Sequence, residues 1–433
     1  MRSKLAVVAA LALAFATLAA APPPVTLTLD DALLRAEKHL PDFAASSERR
    51  VKAETLWKRA AAAFQPKLTL SASMTFAPPI PSPFGGEPLR SLTGESGSTS
   101  ITMSLFDGRA FPAASAARRI RDAELLSADR DDVDARIAVA RAYYAALAAG
   151  ELEKVARRAL DAAKAHLDIA EARFAGGGAV RTDVTRARIE VVHALTDITR
   201  LEGQSRAARE LVAFMCGIEG DLTLVRPGPP PLPFDPATAG VEEAEARARA
   251  ARPDLKAVAL SADAKHELET AAWWALAPTL AVTATGSVSS DPSFIRPSPD
   301  YSLVFTVAWT LYDGGTRYAD MDDRAAERRT ADAKAAVAGE KVGLEVRTAL
   351  RDLETARAVS ASVADEVALA RETLALAEER FKGGLGTGLE VIDATQALRE
   401  AEATQVSEDL NVQLLALELL RAIGDDLRRL SAP

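Results

Sequence analysis

The sequence predicts a mostly helical fold that also contains four short strands. Two observations favour helix: alanine dominates an apolar fraction of 48%, and two stretches of about 64 residues run without proline beyond their first turn. A third observation favours strands, because apolar and small polar residues alternate in four other segments. These four segments fall in two pairs, and one pair precedes each long helix.

The first 21 residues have the pattern of a secretory signal peptide. Arg2 and Lys4 give a basic start, an apolar run follows, and Ala19, Ala20 and Ala21 supply small residues. We therefore expect the mature chain to be exported, and the lack of a nearby cysteine argues against an acyl anchor. The acidic net charge of −9 argues against nucleic acid as a partner.

The rest of the chain contains two copies of one large unit. Leu40–Phe43 recurs as Arg252–Leu255 at a spacing of 212 residues, and Leu105–Gly108 recurs as Leu311–Gly314 at 206. Markers in the same order at near-constant spacing indicate a duplication rather than a short-period solenoid. We expect the following domains: a signal peptide at 1–21, a first structural repeat at 22–218, a Pro-rich linker at 219–240, a second repeat at 241–427 and a tail at 428–433.

Each copy is predicted to contain a helix, two strands, a long helix and a return helix. Glycine clusters, which end helices cheaply because glycine accepts positive φ, separate each long helix from its return helix. The predicted elements of the first copy are a helix at 30–64, strands at 68–75 and 100–105 around a loop at 77–97, and helices at 110–173 and 182–215. Those of the second copy include strands at 279–285 and 303–311 and helices at 316–380 and 388–424.

The four strands are expected to cross a membrane. They contain almost no charged residue, and Ser and Thr alternate with the apolar positions, which suits a barrel wall with lipid outside and water inside. The alternative is a soluble hairpin with one buried face. Four strands cannot close a barrel in lipid, so copies must combine. Three copies give twelve strands and two give eight, and the pattern alone leaves both open.

The long helices are predicted to form coiled coils. Apolar residues of the second long helix recur at alternating steps of four and three, with one step of seven, which is a heptad seam and implies left-handed supercoiling against a partner helix. The seam consists of Val342, Val346, Ala349, Leu353, Ala356, Val363, Val367, Ala370, Leu374 and Ala377.

With these features in place, the chain resembles the TolC-like outer-membrane factors of tripartite efflux and type I secretion. The most specific stretches are 173–184 (RFAGGGAVRTDV) and 380–394 (RFKGGLGTGLEVIDA), together with the repeat and the linker. The resemblance covers nearly all of the mature chain. It implies a homotrimer that forms one 12-stranded β-barrel and an α-helical periplasmic tunnel. It also implies a passive exit duct in the cell outer membrane, whose partners are outer-membrane lipid, a periplasmic adaptor protein and an inner-membrane transporter.

The same resemblance implies roles for ten residues at the two helix turns. Glu390 and Asp393 match acidic positions that ring the closed aperture, and three copies of each would attract cations. Thr182 and Asp183 match aperture contacts, but Phe381 and Gly386 occupy the positions of their tyrosine and arginine partners, so that lock is not expected here. Gly384 and Leu385 keep the Gly-Leu pair that docks the adaptor, whereas Gly177 and Gly178 lack the leucine.

The sequence argues against two other classes of protein. An enzyme is not expected, because the four histidines lie far apart and the sequence has neither a phosphate-binding loop nor a nucleophile elbow. We expect no cofactor, metal site or catalytic residue. An exported structural or adhesive coiled coil would explain the helices and the signal peptide, but not four charge-poor alternating strands.

Overall fold

The computed structural model describes residues 25–76, 78, 93–234, 240–290 and 298–425. The expected signal peptide at 1–21 and the expected tail at 428–433 lie outside these residues, as do positions 235–239 of the expected linker. None of the helices in the described part of the chain has the length and apolar character needed to cross a membrane.

The described residues form eight α-helices and six strands. In chain order these are β1 (Val25–Leu27), α1 (Leu29–His39), α2 (Pro41–Ala61), β2 (Lys67–Phe76), β3 (Thr93–Phe106), α3 (Ala110–Ala175), α4 (Arg181–Cys216), β4 (Leu222–Leu224), α5 (Val241–Ala251), α6 (Pro253–Trp274), β5 (Thr279–Ser289), β6 (Asp300–Ala308), α7 (Thr316–Lys382) and α8 (Gly388–Ile423). The two predicted long helices are confirmed as α3 and α7, which begin at the predicted residues and end two residues later than predicted.

The chain divides into two compact units. The first, which we call the helical unit, comprises Met1–Ser46, Asp129–Arg252 and Lys341–Pro433. The second, the sheet unit, comprises Ser47–Ala128 and Pro253–Glu340.

The predicted helix at 30–64 is interrupted, so that prediction is wrong in its middle and at its end. Proline has no backbone N–H and disfavours helical geometry in the residue before it. Leu40, which precedes Pro41, accordingly has an extended backbone with φ −70° and ψ 133°. α1 ends there and α2 begins at Pro41, while residues Ala62–Phe64 form a 3₁₀ turn rather than α-helix.

A buried tyrosine joins the two short strands of the helical unit. β1 and β4 pair in parallel, and β4 lies within the segment predicted as a linker. The Tyr143 side chain on α3 is fully buried, and its hydroxyl lies 2.8 Å from the Leu27 carbonyl oxygen and accepts the Val225 N–H at 3.1 Å. Tyr143 therefore satisfies backbone groups at the ends of both strands.

The predicted heptad seam on α7 is buried. Eight of its ten residues, all except Ala370 and Leu374, are at most 9% exposed. At its C-terminal end the seam packs against the return helix, where Ala377 and Phe381 of α7 form a cluster with Val391 and Ala394 of α8. The prediction that a partner helix covers this seam is therefore confirmed at this end.

The sheet unit contains one four-stranded antiparallel sheet in the order β2-β3-β5-β6. Its register sets mainly apolar and mainly polar residues in alternate rows across the strands. One row consists of Leu68, Ile101, Ala284 and Leu303. The next row on the opposite face consists of Thr69, Ser100, Thr285 and Ser302.

The two faces of the sheet therefore differ in chemistry, as the alternation predicted. On the polar face, hydroxyl pairs link neighbouring strands: the Oγ atoms of Ser71 and Ser98 are 2.7 Å apart. The apolar face is open in the single chain, where Leu70 is 80% exposed and Val307 69%. An exposed apolar face of this kind marks a site of contact with protein or lipid.

Several strand boundaries differ from the prediction: β5 extends to Ser289, and β6 begins at Asp300. Residues 93–97, predicted as loop from their Gly and Ser content, belong to β3 because they pair with β2, for example Gly97 with Ala72; positions 77 and 79–92 of that loop lie outside the described residues. β6 ends at Ala308, so the predicted strand residues Trp309 and Leu311 lie beyond it. The Trp309 indole donates a hydrogen bond to the Leu276 carbonyl oxygen at 3.0 Å, which turns this residue away from the strand ladder.

Candidate functional site at the helix-hairpin turns

Two turns connect the long helices to their return helices. The first turn, residues 176–180, joins α3 to α4, and the second turn, residues 383–387, joins α7 to α8. Gly177 and Gly384 have φ of +75° and +76°, a conformation in which a side chain is strained. Both glycines therefore end their long helices in the way the glycine clusters predicted.

Matching hydrogen bonds close the two turns. Gly178 N donates to the Arg173 carbonyl oxygen at 2.8 Å, and Leu385 N donates to the Arg380 carbonyl oxygen at 2.9 Å. Gly178 and Leu385 thus occupy corresponding positions after the left-handed glycine. Leu385 is 80% exposed, whereas Gly178 offers no side chain. The two turns consequently share a backbone but present different surfaces.

Gly386 is required by space rather than by backbone angle. A Cβ atom at this position would lie 3.1 Å from the Phe381 backbone nitrogen and 3.1 Å from the Arg380 Cβ. Gly386 N also donates to the Arg380 carbonyl oxygen at 3.0 Å, which folds the turn back on the end of α7. The turn therefore leaves no room for an arginine at position 386 in this conformation.

Asp183 and Glu390 occupy corresponding places in the first turns of α4 and α8. α4 begins at Arg181, so Thr182 lies inside the helix rather than capping it, and the Asp183 carboxylate accepts the Val180 N–H at 3.3 Å. Glu390 N donates to the Thr387 hydroxyl at 3.4 Å. Carboxylates favour this end of a helix because its amide groups carry partial positive charge. Both acids therefore have a local structural role.

Asp393 lies one turn further along α8 than Glu390 and is exposed. Its place on the same helix, three residues on, puts the two carboxylates on neighbouring positions of one helix surface. Glu390 also lies 4.0 Å from the Arg380 guanidinium. The arrangement can present two negative charges per chain near the second turn.

Phe381 is buried and connects the two hairpins. Its side chain is 3% exposed, and the Arg173 guanidinium lies 4.5 Å from its ring centre. Arg173 Nη1 donates to the Phe381 carbonyl oxygen at 2.7 Å, and Nη2 donates to the Gly178 carbonyl oxygen at 3.1 Å. The His166 ring packs on the same phenylalanine at 5.3 Å between ring centres. Arg173 therefore links the end of α3 to the end of α7.

The sequence did not point to Arg173 or His166 as site residues. Arg173 was visible only as the first residue of the stretch 173–184, and its position there did not say where its side chain lies. Within the described chain, neither Thr182 nor Asp183 makes a hydrogen bond to Phe381 or Gly386.

No group of three metal-ligating side chains occurs among the described residues. The histidines there have separate surroundings: His166 packs on Phe381, and His266 lies 3.1 Å from the Asp332 carboxylate. The arrangement at the two turns offers surface shape and negative charge.

Comparison with known proteins decides the family. The sequence profile of the family described as "Outer membrane efflux protein" matches residues 32–217 and 246–425, which is most of the chain. The chain belongs to the outer membrane efflux protein family. It is therefore an efflux channel protein of the cell outer membrane with a periplasmic helical extension.

A curated relative is similar to this chain in sequence, and solved structures are similar to it in fold. The pyoverdine export outer membrane protein OpmQ of Pseudomonas putida is 26% identical over 356 residues, covering 78% of this chain and 74% of the relative. A crystal structure of CusC has a TM-score of 0.80 at 18% identity and covers 92% of both chains. The outer membrane protein VceC of Vibrio cholerae has a TM-score of 0.74 at 18% identity over 92% of this chain and 96% of that one. The predicted TolC-like fold of long helical hairpins with four strands is thereby confirmed.

Proposed function

We propose that three copies of this chain form one passive exit duct, in which the strands build a 12-stranded barrel and the helices a periplasmic tunnel. In this proposal an inner-membrane transporter delivers substrates through a periplasmic adaptor, as part of a tripartite efflux pump or a type I secretion system. The duct performs no chemistry and needs no cofactor, which fits a family of channels.

The observation that carries this proposal is the pair of open edges on the sheet. β2 and β6 each have one side without a strand partner among the described residues, and they run in opposite directions within the order β2-β3-β5-β6. β6 of one copy can therefore pair antiparallel with β2 of the next copy, and the antiparallel alternation continues around a ring. Closure by copies satisfies every edge, which lipid requires.

Membership of the TolC-like fold favours three copies over two. Apolar residues exposed on the helical hairpins of the single chain also support assembly, because they lie at helical spacing and need cover. On α4 these are Ile189, Val192 and Leu195, and on α7 they are Leu369 and Leu376.

We assign the two turns to adaptor docking and to the aperture. The exposed Leu385, with Gly384 before it, is the apolar contact offered to the adaptor, and Gly177 and Gly178 form the flatter counterpart. Glu390 and Asp393 are the acidic rings of the aperture. Four further residues lie around the aperture in this proposal: Thr182, Asp183, Phe381 and Gly386. The Phe381 side chain is buried within its own chain.

The pyoverdine export named for OpmQ makes a secreted small molecule the first cargo class to test. Export can be measured in a strain that lacks its own outer-membrane channel and carries this chain with its genomic neighbours. Secretion of siderophore-like compounds into the medium supports this cargo class, and unchanged secretion removes it while leaving the duct itself in place.

The test of the duct is single-channel conductance of the detergent-purified protein in a planar bilayer, after native mass measurement of its copy number. Discrete, stable and cation-preferring openings from a trimer are expected. A well-folded preparation that inserts no channels would overturn the proposal and favour an exported coiled coil without channel activity.

A further inference from the structure

The first helical hairpin consists of α3 and α4, and the second consists of α7 and α8. Side-chain contacts connect the two hairpins within one chain, and we call these contacts the intrachain joint. The second hairpin supplies the cluster of Ala377, Phe381, Val391 and Ala394. The first hairpin supplies Ile169, which packs against this cluster, and Arg173, which stacks on Phe381 and donates to its carbonyl oxygen. The joint therefore combines the apolar contact of Ile169 with the hydrogen bond and ring stacking of Arg173.

The first hairpin carries the same cluster at a constant offset of 207 residues. The offset pairs Ile169 with Leu376, Ala170 with Ala377, Arg173 with Arg380, Phe174 with Phe381, Val184 with Val391 and Ala187 with Ala394. Ala170, Val184 and Ala187 do form a buried cluster, with Leu167 packed against it. Leu167 corresponds to Leu374, which packs against the second cluster in the same way.

The two clusters differ in whether they are covered. Phe381 is 3% exposed beneath Arg173, whereas its counterpart Phe174 is 47% exposed. The residues that correspond to the covering pair are also exposed: Leu376 is 55% exposed, and the Arg380 side chain is 61% exposed. One chain therefore contains one completed joint and both separated halves of a second.

We propose that the halves meet between copies: Leu376 and Arg380 of one chain cover Phe174 and its cluster on the neighbouring chain. This inference rests on the proposed trimer. In a closed ring the first and second hairpins alternate, so each second hairpin faces the first hairpin of the next copy. Three intrachain joints then alternate with three joints between copies, and all six share one geometry.

The chemistry of the joint between copies follows from the intrachain joint. The Arg380 guanidinium donates to the Phe174 carbonyl oxygen of the neighbouring copy and stacks on its ring, while Leu376 fills the place that Ile169 takes within the chain. Arg380 then turns away from Glu390, which it approaches only to 4.0 Å in the single chain. The partner for this surface is therefore a second copy of the same chain.

Cysteine labelling of the intact trimer tests the proposal. Leu376→Cys and Phe174→Cys are made separately in a Cys216→Ser background, because Cys216 is the chain's only cysteine. Leu385→Cys, at an exposed position of the second turn, is the matched control. We expect a maleimide to label positions 376 and 174 at least about tenfold more slowly than position 385. Equal rates at 376 and 385 in a verified trimer would overturn the proposal.

Crosslinking identifies which surfaces meet. Copies with Leu376→Cys and differently tagged copies with Phe174→Cys are co-expressed and treated with a short bismaleimide. A covalent pair between the two tags is expected, and a 376–376 pair instead would overturn the proposal. Native mass separates the two levels: absence of a trimer removes the proposed function, while a trimer with an unprotected Leu376 removes only this inference.

Discussion

Arg173 and Phe381 are joined twice, once by a 2.7 Å hydrogen bond from the guanidinium to the carbonyl oxygen and once by stacking of the guanidinium on the ring at 4.5 Å. The two residues are 208 positions apart in sequence. They stand at the C-terminal ends of the two long helices, so this contact fixes the two hairpin turns of a copy relative to each other.

Arg173→Ala is expected to release the second turn from the first. A hydrogen bond to a charged group contributes about 1.5–3 kcal/mol, so hydrogen exchange at the amides of Leu385 and Gly386 should accelerate roughly 10- to 100-fold. Exchange mass spectrometry of the peptide that contains both residues measures this. Arg186→Ala removes an exposed arginine of α4 and is the control; equal exchange in the two variants would contradict the role given to Arg173.

The double variant Glu390→Ala with Asp393→Ala is expected to lose cation preference. Removing both carboxylates takes six negative charges from the aperture of a trimer, and the reversal potential in a salt gradient should move towards zero. The control is Asp365→Ala with Glu366→Ala, which removes the same charge from exposed positions of α7 more than 20 residues before Glu390. Selectivity that is unchanged in the first variant would place these acids away from the aperture.

Gly386→Ala is expected to disturb the second turn. The added methyl group would meet the Phe381 nitrogen and the Arg380 Cβ at 3.1 Å, and overpacking of this kind costs about 1–3 kcal/mol. Gly178→Ala is the control, because a Cβ there lies at an ordinary 3.7 Å from its nearest neighbour. Thermal unfolding of the two variants compares them directly, and a Gly386→Ala protein as stable as Gly178→Ala would refute the close approach.

Tyr143→Phe is expected to lower the free energy of unfolding by about 0.5–1.5 kcal/mol, because the Val225 carbonyl oxygen loses the Tyr143 hydroxyl at 2.7 Å, while the Leu27 carbonyl oxygen keeps the Val225 N–H at 3.0 Å. Denaturant unfolding followed by circular dichroism measures the change. Tyr144→Phe is the control, since that buried neighbour makes no side-chain hydrogen bond in the described part of the chain. Similar losses in both variants would mean that the ring, not the hydroxyl, stabilises the strand pair.

The intrachain joint is expected to weaken at low pH, because His166 packs on Phe381 within it. Burial lowers the pKa of His166 below its ordinary value, although the carboxylates of Glu378 and Asp183 oppose that shift. The opened joint therefore binds a proton more readily than the closed one. The joint is therefore most stable above about pH 6.5, and its stability falls as the pH drops below that value.

Hydrogen exchange of residues 383–387 at about pH 7.5 and about pH 5.5, corrected for intrinsic exchange rates, measures this effect. His166→Gln should remove the difference between the two conditions. His193→Gln, which changes an exposed histidine of α4, should keep it. A wild-type protein with equal protection at both conditions would contradict the prediction.

The long elements could be predicted from the sequence because each depends on a local period. Alternation in residues 68–75 sets two faces of a strand, and the seam from Val342 to Ala377 sets one face of a helix. The break at Leu40 was also present in the sequence as Pro41, but the periodic pattern on either side obscured it. Residues 93–97 became strand because pairing with β2 outweighs the weak strand preference of Gly and Ser.

The candidate site was less predictable. Asp183 and Glu390 could be named because the two turns resemble those of a known family, and the structure adds that both acids lie in the first turn of a helix. Arg173 could not be assigned, because a long flexible side chain that crosses between hairpins leaves no periodic mark. The close approach at Gly386 likewise depends on how the turn folds back on α7, which only the three-dimensional arrangement determines.

The open edges of β2 and β6 have a consequence for biogenesis. In the proposed duct, the free edges of these two strands, of ten and nine residues, pair only with the edges of other copies. The rate of barrel formation then depends on the concentration of chains to a power above one. The yield of barrels therefore depends on how many copies reach the periplasm together. At low synthesis rates, unassembled protomers would need chaperones that keep them from aggregating. The supply of these chaperones would then limit the number of finished pores.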